Sequence, residues 1–217
     1  MNNRIMEHFE IFEEEFGEIQ NSVTIPDEIY EKHKNILPDG LLSIWKKTGW
    51  GSFADGLMWL TNPDDYDDII NIWLDKTPFE SIDHYHVIAR DAFGNLYAWG
   101  QNNNQYFTIS CPMHALIAQE NKICTKSDDP NRTLGVFFSC AEREEFDMND
   151  ENREPLFLRA QQKLGSLSSD EIYGFILPLF AGGRMLLDNL AIVKLDQYLT
   201  LLRQTGGTPK IPFAGWK

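Results

Sequence analysis

Four short stretches of the chain carry residue types that could do chemistry. In "DHYH", His84 and His86 stand two apart. On a strand both rings would project from one face, a geometry open to a metal ion. Asp83 would point the other way, and no further Cys, His or acid lies near in sequence. That falls short of the roughly four protein ligands of a structural zinc. The pair therefore reads as part of a partly exposed strand, and a metal-dependent hydrolase built on it is the third of three functional readings. "PDDYDD" gathers Asp64, Asp65, Asp67 and Asp68. Their carboxylates could hold a divalent cation, but the alternating Asp/Asn and glycine of a calcium loop are absent. The expectation is a solvated helix start.

"FAGGRMLLDN" offers Gly182, Gly183 and Arg184 as an anion-binding nest, a concavity in which successive backbone amides meet a phosphate. It supports the second reading, a small-ligand or nucleotide-sensing domain with an anion site near Gly182–Arg184. A glycine pair after an apolar strand also makes an ordinary turn. Ser139-Cys140 has no histidine nearby in sequence, and nothing in one chain marks its thiol as an activated nucleophile. HExxH, Walker, GxGxxG and GxSxG patterns do not occur. No catalytic residue, cofactor or metal is expected, and the chain does not read as an enzyme.

The elements that would position these residues follow from periodicity. Ile5, Phe9, Phe12, Phe16 and Ile19 make one face of a helix over residues 4–19, and its other face is rich in glutamate. A second helix enters through Thr24, Pro26 and Asp27. "LPDGLLSIWKKTGW" is a third: Pro38 and Asp39 open it, Leu41, Leu42, Ile44 and Trp45 form its apolar face, and Gly49 ends it. Trp45, Trp50, Phe53, Trp59 and Leu60 are expected to wedge this helix onto a sheet, with Gly49, Gly51 and Gly56 letting the backbone pass close by. "GLMWL" predicts a strand, and Asn62-Pro63 starts a helix with Ile69, Ile70, Trp73 and Leu74 on one stripe.

From His84 the period changes to that of strands. "HVIARDAFGNLYAWG" is a hairpin around Gly94-Asn95, and "QYFTIS", "HALIAQ" and "KICTK" predict further strands of a four- to six-stranded antiparallel meander. "DPNRTLGVFFSCA" is helical. "EREEFDMNDENRE" lacks apolar periodicity and suggests a linker or hinge loop. "PLFLRAQQKLGSL" is a helix stopped by Gly165, "SSDE" has capping-box character ahead of a buried apolar run, and a last helix covers about Asp196–Gln204. The order of helices, sheet, helices is α+β, with the C-terminal helices packed on an antiparallel or mixed sheet.

The 217 residues, 42% of them hydrophobic, suit one large domain or two small ones with an ordinary core. No apolar run approaches the roughly 20 residues of a membrane helix. The acidic start lacks the pattern of a signal peptide, so a cytoplasmic chain is expected, with Cys111, Cys124 and Cys140 as free buried thiols. The formal charge is −14. Residues 1–154 hold 29 acids and 12 bases, and residues 155–217 hold 4 acids and 7 bases. Such an acidic body disfavours direct nucleic-acid binding and suits either plain solubility or a cationic partner.

The blocks "LPDGLLSIWKKTGWGSFADGLMWLTNPDDY", "VIARDAFGNLYAWG", "LFLRAQQKLGSLSSDEIYGFILPLFAGG" and "DNLAIVKLDQYLTLLRQTGG" together resemble the bacterial GAD-like family. Its members carry a further C-terminal domain and include immunity proteins paired with type VI secretion DNase toxins. The stretch from Leu164 to Phe175, followed by Gly182-Gly183, is the most specific piece. The first two blocks are also similar to the broader SUKH class of immunity proteins. The resemblance implies a GAD-like part at 1–140, an acidic linker or loop at 141–154 and an immunity-type part at 155–217. It implies a non-enzymatic intracellular protein that binds and neutralises a cognate nuclease toxin. Carboxylates that substitute for DNA phosphates would serve that role. The candidates are Asp64, Asp65, Asp67, Asp68, Glu142, Glu144, Glu145 and Asp147, with Tyr66 or Trp73 as an aromatic anchor.

Overall fold

The computed structural model describes residues 2–212. In chain order the elements are α1 (Asn2–Phe16), β1 (Gln20–Val23), α2 (Asp27–His33), α3 (Asp39–Thr48), β2 (Trp50–Phe53) and β3 (Met58–Leu60). A 3₁₀ turn at Pro63–Tyr66 leads into α4 (Asp67–Leu74) and α5 (Phe79–Ile82), followed by β4 (Tyr85–Asp91), β5 (Asn95–Gly100), β6 (Tyr106–Ser110) and β7 (Ala115–Ile117). Then come α6 (Glu120–Ile123), α7 (Pro130–Ser139), α8 (Arg143–Phe146), α9 (Phe157–Leu164), β8 (Glu171–Phe175), β9 (Leu190–Lys194) and α10 (Leu195–Gly206). The fold is α+β, as the periodicities imply.

Seven strands form one antiparallel sheet in sequence order, β1 to β7. Because side chains alternate along a strand, the central strands β4 and β5 each feed two cores. Phe53, Met58, Leu60, Ile88, Tyr97 and Trp99 face α1, α3, α7, α8 and α9. Tyr85, Val87, Leu96, Ala98, Phe107 and Ile109 face α4, α5, α6 and α10. The sheet is thus sandwiched between two helical layers. The first core is strongly aromatic: Phe12 stacks on Phe16 with ring centroids 4.3 Å apart and meets Phe53 edge-on at 5.0 Å.

The β8–β9 hairpin joins both layers. Ile172 lies in the second core and Tyr173 in the first, while the Tyr173 N–H donates to Ala92 O beside the β4–β5 turn. The acidic segment at 141–154 also ties together α1, β5 and α9. Phe146 meets Phe16 at 5.3 Å and Tyr97 at 5.1 Å, and the Asp147 carboxylate accepts the first amides of α9, from Leu156 at 3.2 Å and Phe157 at 2.9 Å.

Several expectations need correction, and the sheet has seven strands where four to six were expected, edge strand β1 having no sequence signal. "KICTK" forms no strand: residues 120–123 are helical, and the QNNNQ turn fastens this segment, Asn103 Nδ2 donating to Ile123 O and Gln105 Nε2 to Thr125 O. "SSDE" caps no helix. The Ser168 N–H donates to the Glu171 carboxylate and the Glu171 N–H to Ser168 O, so the reciprocal pair closes a turn into β8. In the apolar run after it, Glu171–Phe175 is the strand, whereas Ile176 and Leu177 are exposed. Of the thiols only Cys111 is buried; Cys124 and Cys140, each just past a helix end, are exposed.

The tryptophan unit is a packing device with one exception. Trp45 and Trp50 meet edge to face at 5.4 Å in the first layer, but Trp59 points to the opposite side of β3 and stacks on Arg90, its ring 4.4 Å from the guanidinium. β1, which lacks a sequence signal, pairs along β2 so closely that a Cβ at Gly51 would stand 2.6 Å from Gln20 O.

Arg90 and Asp91 end the central strand in full burial. Arg90 donates to Asp91 O and Ser169 O. The Asp91 carboxylate accepts N–H bonds from Phe93 and Asn95 at 2.9 Å and from Asn95 Nδ2 at 2.6 Å, holding the β4–β5 turn. Burial raises its pKa to about 7 against the pull of those donors and of Arg90. Removing this acceptor strands the Phe93 and Asn95 N–H groups and Asn95 Nδ2, so Asp91→Ala should lower unfolding stability by about 3 kcal/mol in denaturant melts. Because the folded state holds the proton more tightly than the unfolded chain, the contribution of Asp91 falls as pH rises from about 4 to 7. The stability gap between wild type and Asp91→Asn should therefore narrow over that range.

Candidate partner-binding surface

The two acidic clusters come from different layers. The 3₁₀ turn that carries Asp64 and Asp65 is opened by Asn62, whose side chain accepts the Asp64 N–H at 3.3 Å and whose Nδ2 donates to Asp65 Oδ1 at 3.1 Å. Asp65 and Asp68 are exposed and Asp64 and Asp67 half-buried. Asp64 is internally engaged: His33 Nε2 lies 2.8 Å from one of its oxygens and Lys32 Nζ 2.8 Å from the other. Burial works to raise its carboxyl, but the Lys32 and His33 bonds prevail and hold it below the usual carboxylate range. Tyr66 and Trp73, the expected anchors, are core residues. Tyr66 reaches Arg90, and Trp73 is fully buried with its Nε1–H donating to Leu199 O at 3.2 Å. They hold the acidic turn in place from beneath and present no aromatic face to a partner.

The second cluster sits on α8 in the opposite layer. Glu142, Glu144 and Glu145 are exposed. Asp147 is half-buried and spends its carboxylate on α9, its pKa raised by burial despite the amide bonds it accepts. The fold extends this cluster with a surface that sequence reasoning passed over. Arg143 Nε donates to Glu15 O at 2.6 Å, which seats α8 against the end of α1. There Glu7, Glu10, Glu14, Glu15 and Glu18 are exposed, and Glu13 pairs with Lys47 at 2.5 Å. The signal was present as the glutamate face of the first helix; what the sequence lacked was its adjacency to α8. Exposed carboxylates thus stand on both α1 and α8, which meet where Arg143 reaches Glu15. A cleft of about 190 Å³ between Asp55, Leu57, Arg143, Glu144, Asp147 and Phe157 lies beside α8.

The histidines form a small cluster of their own. His86 is buried, His84 exposed, and their rings lie 4.8 Å apart; His33, from the end of α2, meets His86 at 5.8 Å. Burial lowers the His86 pKa, favouring the neutral ring. Among the described residues no group of three or more His, Cys, Asp or Glu is arranged to hold a metal ion. The glycine nest is likewise committed. The Gly182 N–H donates to Leu179 O and the Gly183 N–H to Pro178 O, and Arg184 forms a bidentate pair with Glu151. No donor set for an anion converges there.

The exposed acids of α1, α8 and the turn before α4 give this surface its character. It can present negative charge on a stiff scaffold. Among the described residues no helix is long and apolar enough to cross a membrane.

Comparison with known proteins agrees with this architecture. A crystal structure of Atu4351 from Agrobacterium tumefaciens matches with a TM-score of 0.79, covering 96% of this chain and 90% of that one at 22% identity. It shares the fold. No curated protein is significantly similar in sequence. Residues 7–113 match the GAD-like domain, a span from α1 to just beyond β6. Residues 131–205 match the C-terminal domain of T6SS immunity protein Tdi1, from within α7 to the end of α10. By these two matches, which together span most of its length, the chain belongs to the GAD-like proteins that carry a type VI secretion immunity domain.

Proposed function

We propose that this protein is a non-enzymatic, cytoplasmic immunity protein that binds a cognate type VI secretion toxin of nuclease activity and blocks it. The immunity-type segment at 131–205 carries this reading. The charge distribution supports the nuclease assignment, because an enzyme that grips a polyanion offers a basic surface, and carboxylates can compete for it. The α1–α8 face, with Glu10, Glu14, Glu18, Glu142, Glu144 and Glu145, is the steering surface in this proposal. Asp65 and Asp68 in the other layer are a second, smaller one. Asp64 and Asp147, tied up within the fold, contribute little to it.

Co-expression with the toxin encoded by the adjacent gene should restore growth, and the two proteins should co-purify as a stable complex. Lack of both would end the proposal. Within such a complex, steering by charge acts mainly on the association rate and is screened by salt. Glu10→Lys, Glu14→Lys and Glu18→Lys combined should slow association by about tenfold at low ionic strength, and the difference should fade in concentrated salt. Stopped-flow measurement of the rate across a salt series decides this, and a rate indifferent to the reversal would remove the α1 face from the interface.

A further inference from the structure

Immediately after β8 the chain exposes apolar residues in a cluster. Ile176 is 67% exposed, Leu177 50% and Phe180 38%, and the Phe180 ring rests on His114, 5.0 Å away. Met113, next in the chain to His114, is 49% exposed. Single exposed apolar residues are ordinary; several on one short loop mark a binding surface.

The loop is also held stiffly. The Asn189 side chain accepts the Leu177 N–H and donates to Leu177 O and Arg184 O, all at 2.9 Å. The Ile176 N–H donates to Asn189 O at 2.8 Å, and the Ala181 and Gly183 N–H groups both donate to Pro178 O. The turn is so tight that a Cβ at Gly183 would lie 1.8 Å from Leu177 O. Arg184 pins the far side to Glu151, whose N–H donates to Met185 O. The hydrogen bonds fix the backbone while the side chains of Ile176 and Leu177, and part of the Phe180 ring, stay open to water. A loop without a partner gains nothing from that arrangement, whereas a binding loop avoids the ordering cost of association.

We propose that the 176–180 loop is the apolar anchor of the toxin complex, seating Ile176, Leu177 and Phe180 in an apolar recess of the toxin. This rests on the immunity reading above and names its surface. The loop lies within the segment matched to the immunity domain. At long range two chains of formal charge −14 repel, which disfavours a second copy as the occupant. The loop's own segment, 155–217, holds 4 acids and 7 bases, so the loop itself supplies apolar contact and not charge attraction. The carboxylate face then sets how fast the partners meet, and the loop sets how long they stay, since affinity differences between related complexes reside mostly in dissociation.

The test is a pair of loop variants measured against the adjacent-gene toxin carrying an inactivating substitution. Ile176→Ser with Leu177→Ser alters only exposed side chains and leaves the Asn189 bonds to the backbone. Its melting temperature should stay within about 2 °C of wild type, and its dissociation from the toxin should accelerate by at least about thirtyfold. Leu177→Arg, which sets a cation against a basic partner, should weaken binding at least as far. Wild-type affinity in both variants overturns the loop assignment and leaves the immunity reading standing. Failure of the wild-type protein to bind that toxin removes the immunity reading itself. A concentration-dependent dimer in sedimentation, abolished by the serine pair, would show that a second copy covers the loop and would also overturn the assignment.

Discussion

A positive charge sealed inside the molecule organises this fold. Arg90 lies at the end of the central strand with its whole side chain buried, and burial lowers its pKa. Such a group persists only where its donors are matched. Its partners come from four parts of the chain: Ser169 ahead of β8, the backbone of Asp91, the ring of Trp59 on β3, and Tyr66 beneath the acidic turn. The need to satisfy one guanidinium therefore brings the C-terminal hairpin, the sheet and the acidic turn into a single register. The anchoring loop begins only a few residues after Ser169, so its position too descends from this contact.

The sheet then divides the labour of the surface. Its two faces bury separate cores, and each core supports its own helical layer. Carboxylates that look like one population in the sequence end up on opposite sides. The acid-bearing helices α1 and α8 lie together because Phe16 and Phe146 share a core and Arg143 reaches across to Glu15. Asp65 and Asp68 stand apart on the layer supported by Trp73. Charge is thus shaped by aromatic packing beneath it.

Much of the scaffold was legible in the chain because helix entries and exits carry local chemistry. Pro38-Asp39, Asn62-Pro63 and Gly165 mark their boundaries without help from the rest of the molecule. β1 was not legible: Gln20–Val23 is an exposed edge strand that owes its conformation to its pairing with β2. "KICTK" misled because β-prone Ile123 and Thr125 are overridden by turn amides from residues 103–105. Residue types announced the acidic clusters, but nothing local told that Asp64 and Asp147 would be consumed inside the fold. The apolar loop was hidden for a related reason, since hydrophobicity alone does not separate a residue facing the core from one facing a partner. Arg90 was missed outright, one charged residue in a strand that otherwise reads as buried.

The second matched segment opens inside α7, a helix that packs on α1 in the same aromatic core. That shared interior shapes how such a protein can diversify. Trading one segment for a foreign counterpart would cut through stacked phenylalanines and leave cavities on both sides, at a cost of several kcal/mol per lost ring. Change in recognition is therefore channelled away from the swapping of whole modules and towards point substitutions on the helix ridge and the loop tip.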